Sequence, residues 1–178
     1  MYNNKKCVTV FGSSIPKQGE DEYETAYKLG SIFAKAGLNV CSGGYHGIMD
    51  AVSKGCKENG GEALGVTFDI YNAIPSQYLS QELKCYTLLE RLKNLIEFGD
   101  AYVVLQGGTG TLVELALVWE YMNKNMIEEK PFAAHGSIWK EIVPIVEKQI
   151  AKEKRKNGLV DCFNDIEMCG EFIIQRLL

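Results

Sequence analysis

The chain has 178 residues, 46% of them hydrophobic, a formal net charge of −4, and no long charged or low-complexity tract. This predicts one compact domain over residues 1–178. No stretch reaches the roughly 18 consecutive apolar residues of a membrane span. The mild acidic surplus argues against DNA or RNA as partners but allows a local site for a single phosphate.

Met1-Tyr2-Asn3-Asn4-Lys5-Lys6 runs into a strand with no signal-peptide hydrophobic region, so a cytoplasmic protein is expected. Cys7 to Gly12 reads as that strand, and Asp21 to Ala36 as a helix closed by Gly37. A strand over Leu38 to Cys41 leads into the turn Ser42-Gly43-Gly44-Tyr45-His46-Gly47, then a helix over Ile48 to Glu58. Ala63 to Thr67 is a third strand, and Phe68 to Ser80, with Pro75, a loop. Leu83 to Tyr86 is a short strand before a helix over Thr87 to Phe98. Ala101 to Leu105 is the most apolar strand, and Leu112 to Asn123 the helix that follows. Pro131 to Ala134 reads as the last strand, with Ile138 to Lys154 and Asp165 to Leu178 as closing helices.

Short apolar strands alternating with helices predict βαβ units. The expected fold is α/β: a Rossmann-like, doubly wound parallel sheet with helices on both faces. Ligands of such sheets bind at the carboxyl ends of the strands, near the switch in strand order. Three glycine-bearing turns fall at such ends: Gly12-Ser13-Ser14, Gly43-Gly44 with Gly47, and Gly107-Gly108-Thr109-Gly110.

The third turn carries most of the chemistry. Gln106 to Glu114 joins the most apolar strand to a helix start, where unpaired amides and the positive end of the helix dipole favour an anion. The amides and hydroxyls of Thr109, Gly110 and Thr111 can wrap a phosphate; an ordinary tight turn is the alternative. Glu114 fits two roles. Thr111-x-x-Glu114 has the spacing of a capping box. A first-turn carboxylate is also favoured as the ion, suited to hold a ribose hydroxyl, orient water or stabilise a developing cation.

Arg91 borders the apolar stripe Leu88, Leu92, Leu95 and Ile96. It reads either as a surface or salt-bridged arginine, or as one sending its guanidinium into a neighbouring crevice. Lys93 and Glu97 look solvated. Met49 fits an apolar wall for a base as well as it fits core, and a loop histidine such as His46, with no paired acid nearby in sequence, is ordinarily incidental. Leu112, Leu115, Trp119 and Met122 form a stripe for the core or for a second subunit. The six cysteines are scattered with no C-x-x-C pair, so buried thiols are expected, and His46 and His135 make no zinc-ligand spacing. No Ser-His-Asp arrangement stands out.

Together these residues resemble the LOG (Lonely guy) family, cytokinin riboside 5'-monophosphate phosphoribohydrolases often labelled possible lysine decarboxylases. The family motif P-G-G-x-G-T-x-x-E aligns with Gln106 to Glu114, with Leu115, Val118 and Trp119 matching beyond it. The family arginine falls on Arg91, the G-S-S turn on Gly12-Ser13-Ser14, and the G-G-x-x-G-[LI]-M turn on Gly43 to Met49. The likeness runs from Cys7 to the last helix. It implies a homodimer that cleaves the N-glycosidic bond of a nucleoside 5'-monophosphate such as AMP or an N6-substituted AMP, with no metal or organic cofactor. Arg91 and Glu114 would be the catalytic pair. Gly107 to Thr111 and the two earlier turns, including Gly12, Ser13, Ser14, Gly43, Gly44, Gly47 and Met49, would bind substrate. Three positions depart from the pattern: Gln106 for proline, Leu92 for lysine and Leu88 for methionine. The rival reading is a non-catalytic nucleotide- or molybdenum-cofactor-binding carrier. Pyridoxal chemistry is not expected, since no lysine sits in a cofactor-binding context.

Overall fold

A computed structural model describes residues 4–68 and 73–178. Residues 1–3 of the leading segment and 69–72 of the long loop lie outside the described residues. Among the described residues, seven strands and six helices alternate almost throughout: β1 (Cys7–Phe11), α1 (Asp21–Lys35), β2 (Asn39–Ser42), α2 (Ile48–Glu58), β3 (Ala63–Phe68), β4 (Gln81–Cys85), α3 (Leu88–Phe98), β5 (Ala101–Val104), α4 (Thr109–Asn123), β6 (Phe132–His135), α5 (Ser137–Lys152), β7 (Asp161–Phe163) and α6 (Ile166–Leu177).

The strands form one sheet in the order β4-β3-β2-β1-β5-β6-β7. Every pairing is parallel, with Val8 opposite both Val40 and Ala101 at the centre. The chain therefore builds outward from β1 to one edge and returns to build the other, which places the switch point between β1 and β5. Strands β1, β2 and β5 are buried along their whole length, as expected of a sheet covered on both faces. One apolar layer joins α1, α2 and α6 to the sheet through Leu29, Phe33, Val52 and Ile173. The other joins α3, α4 and α5 through Leu95, Leu115, Trp119 and Trp139. The Rossmann-like α/β expectation is met.

Three differences from the sequence reading have physical causes. A seventh strand exists: Asp161–Phe163 pairs with β6 at the sheet edge, and three residues opening on an aspartate carry too little alternation to be seen. Helix α4 begins at Thr109, three residues before the expected Leu112, because glycine and β-branched threonine look like loop residues although they fill its first turn. Strand β4 starts at Gln81, since an exposed edge strand need not be apolar. The six cysteines are free and five are buried. Burial pushes the thiols of Cys41, Cys56 and Cys169 up to about 12, which leaves them inert at neutral pH.

Candidate functional site

Three loops meet at the carboxyl ends of β1, β2 and β5. Ser13 N donates to Gln106 O (2.9 Å) and Ile48 N donates to Ser13 O (2.9 Å), so the first turn is tied to both others through backbone. Gly12 is needed for this closeness: a Cβ there would lie 2.4 Å from Ile48 Cγ2. Gly44 (φ 77°) and Gly47 (φ 67°) hold the second turn in the left-handed region.

Around this junction lies a cavity of about 340 Å³, lined by Gly12, Ser13, Ser14, Met49, Arg91, Gly108, Thr109, Gly110, Thr111 and Glu114. The structure thus gathers most of the residues singled out in the sequence. Gly43, Gly44, Gly47 and Gly107 stand outside this lining, and Gly47 lines a neighbouring crevice instead. Gly44 lies against Gly65 and Thr67, Gly47 against the Ser13-Ser14 backbone, and Gly107 against the Thr111 side chain.

The first intrahelical bond of α4 runs from Leu112 N to Gly108 O (3.0 Å), so the amides of Thr109, Gly110 and Thr111 come before the ladder. Gly108, Thr109 and Gly110 are exposed, and a Cβ on Gly108 or Gly110 would meet nothing within 4 Å. This is an anion-receptive helix start with room above it. The capping-box expectation is corrected. Gly108 is the N-cap, with no side-chain cap bond, and Thr111 is buried in the third helical position. Glu114 therefore stands one turn further in.

That placement also weakens the expected preference of Glu114 for the ionised form. Its side chain is 12% exposed. Burial raises its pKa from 4.5 to about 7, with the charge of Arg91 acting in the opposite direction. Desolvation wins because the dipole effect fades beyond the first turn.

Arg91 is carried by α3, whose start is fixed by Thr87: its hydroxyl accepts from Glu90 N (3.1 Å), and Glu90 in turn accepts from Tyr86 N (2.8 Å). The arginine side chain is 13% exposed, so it is the crevice arginine and not a surface one. Nε donates to the carbonyl of Val66 in β3 (2.9 Å), Nη1 lies 3.6 Å from Glu114 Oε1, and Nη2 lies 4.0 Å from Met49 Sδ. Met49 is 7% exposed and serves as core and cavity wall at once. The Val66 carbonyl was invisible in the sequence, because a backbone acceptor has no residue signature.

Of the departures from the family pattern, Gln106 lies away from the cavity, its Oε1 close to Gly136, while its backbone carries the tie to Ser13. Leu92 is buried, whereas Leu88 is 48% exposed on the first turn of α3. His46 is placed in a second crevice of about 700 Å³, which meets the first at Ser14 and is also lined by Tyr23, Asp50 and Ser76. There Asp50 accepts from Tyr23 Oη (2.5 Å) and Ser76 Oγ (2.6 Å), pinning the loop after β3 to α1 and α2.

The fold and this crevice define a Rossmann-like α/β protein with an anion-receptive helix start beside a shielded arginine–glutamate pair. The chain belongs to the SLOG cluster4 family, a LOG-type family whose model matches residues 5–160. It is 29% identical over 123 residues to the cytokinin riboside 5'-monophosphate phosphoribohydrolase of Rhodococcoides fascians, covering 66% of this chain and 62% of that one. It is 30% identical over 115 residues to the Mycobacterium tuberculosis protein of the same name, covering 63% and 61%. The chain thus spans about three fifths of the length of these relatives. In fold it is similar to the molybdenum cofactor carrier protein of Chlamydomonas reinhardtii, with a TM-score of 0.75 and 22% identity over 97% of this chain and 98% of that one. Among the described residues, no helix is long and apolar enough to cross a membrane.

Proposed function

We propose that the protein is a cytoplasmic, homodimeric phosphoribohydrolase that takes a nucleoside 5'-monophosphate, AMP or an N6-substituted AMP, to free base and ribose 5-phosphate. One observation carries this reading: Arg91 Nη1 lies 3.6 Å from a buried Glu114, in the same small cavity as the amides that open α4. A phosphate at Thr109, Gly110 and Thr111 leaves the attached pentose within the reach of Glu114. Water attacks C1' as the bond to the base nitrogen breaks, and the electron pair of that bond leaves with the base. The Glu114 carboxylate opposes the positive charge growing on the sugar, accepts a proton from the water and passes one on to the departing base. A carboxyl group with a pKa of about 7 suits both halves of that exchange at neutral pH. Arg91 keeps the carboxylate available and presents its remaining N–H donors to the sugar or base.

The test is release of free base from a panel of nucleoside 5'-monophosphates, measured by chromatography on wild type and Glu114→Gln. The variant should lose at least about a hundredfold in kcat while AMP still raises its melting temperature. Wild-type turnover by Glu114→Gln would remove the assignment. Thermal stabilisation by nucleotides with no base released from wild type would favour the carrier reading.

A further inference from the structure

We propose that Gly43 is a positioning residue: the space left by its missing side chain is the seat of the Arg91 guanidinium. A Cβ on Gly43 would lie 1.8 Å from Arg91 Nη2, 3.0 Å from Cζ and 2.6 Å from Met49 Sδ. The neighbouring Gly44 and Gly47 have a backbone reason to be glycine, since both sit at positive φ; Gly43 does not. Its requirement is spatial, and the space is filled by the arginine.

The guanidinium is held on three sides. The Val66 carbonyl takes Nε, the Met49 thioether stands beside Nη2, and the bare Gly43 backbone forms the remaining wall. This socket turns Nη1 toward Glu114. What a methyl group at position 43 would strike is the far end of two long side chains, not backbone. The fold can therefore absorb Gly43→Ala by expelling the guanidinium, at the cost of its approach to Glu114. Gly43 then acts through Arg91 and not by touching substrate; the kinetic consequence rests on the hydrolase reading, the geometry does not.

The experiment reads Glu114 directly. Carbon-13 NMR of the glutamate carboxyl carbons, with Glu114 assigned by its loss in Glu114→Gln, gives its titration midpoint without any substrate. Among the described residues Arg91 is the charge that acts on Glu114, and it pulls the midpoint down. Gly43→Ala should melt within a few degrees of wild type and raise that midpoint by about one pH unit or more, with base release falling in parallel. In an Arg91→Ala background, adding Gly43→Ala should move the midpoint no further. Should Gly43→Ala alone fail to fold, removing the guanidinium in Gly43→Ala/Arg91→Ala should restore a cooperative transition. An unchanged midpoint in Gly43→Ala, a further shift in the double variant, or a double variant that does not refold would each overturn the proposal. If the midpoints behave as expected while the wild-type protein releases no base, the socket stands and the hydrolase reading falls.

Discussion

Arg91 and Glu114 belong to different helices, one before and one after β5, yet their charged groups come within 3.6 Å beneath the glycine turns. Neither is free to relax into water, with side-chain exposures of 13% and 12%. The pair is a compromise in which burial opposes the carboxylate charge and the guanidinium restores part of it. Its consequence is a carboxyl group that titrates in the physiological range.

The pH dependence of base release follows from that titration. In the proposed reaction Glu114 must be ionised to accept a proton and to face a cationic sugar. Activity measured as kcat/KM on AMP should therefore rise with pH and level off above about 7, the value to which burial brings this group. A profile flat from pH 5 to 8, or one falling with rising pH over that range, would exclude the ionised form as the working one.

Trp139 offers a stability test away from the catalytic pair. It is fully buried, and its Nε1 donates to the carbonyl of Leu105 (2.9 Å), the residue at which β5 gives way to the glycine turn. Trp139→Phe keeps an aromatic ring but removes the donor and leaves volume unfilled. The expected cost is about 2 kcal/mol, read as a lower urea midpoint with an unchanged slope. A midpoint equal to that of wild type would show that the carbonyl is satisfied in another way.

Legibility in the sequence varied with the kind of signal. The buried strands β1, β2 and β5 were plain because a sheet covered on both faces needs continuous apolar runs. The three glycine turns were plain because a close backbone approach demands glycine. Strand β7 was not, being three residues at an edge. The burial of Glu114 is not legible in its spacing, because its helix starts earlier than the glycine and threonine residues suggest. This moved the carboxylate away from the dipole and into the interior. The role of Arg91 stayed open in its helical spacing, since what settles its position is the Val66 carbonyl, on a strand 25 residues away in sequence.

The proposed homodimer makes a separate prediction. Leu88 and Leu89 on α3, and Leu112 and Val113 on α4, are 39–77% exposed on the two helices that carry Arg91 and Glu114, and Tyr86 just before α3 is 85% exposed. Exposed apolar side chains on the elements that carry a functional site are a common basis for an interface. Light scattering coupled to size exclusion should give twice the 19.8 kDa chain mass, and Leu89→Glu should shift the protein toward monomer. A wild-type monomer at micromolar concentration would exclude this assembly.

The final prediction concerns the stability cost of the buried carboxyl group. Its pKa in the folded protein, about 7, stands above the ordinary 4.5. The folded state therefore holds a proton that the unfolded chain releases between those values. Stability from this group is present in full below about 4.5 and is lost as pH rises to about 7. The total is about 3 kcal/mol. Glu114→Gln cannot titrate and lacks this loss. Measured by urea unfolding, the variant should therefore gain stability relative to wild type as pH goes from 5 to 8. A difference that stays constant over this range would mean that Glu114 titrates alike in the folded and unfolded chains, and that burial does not govern it.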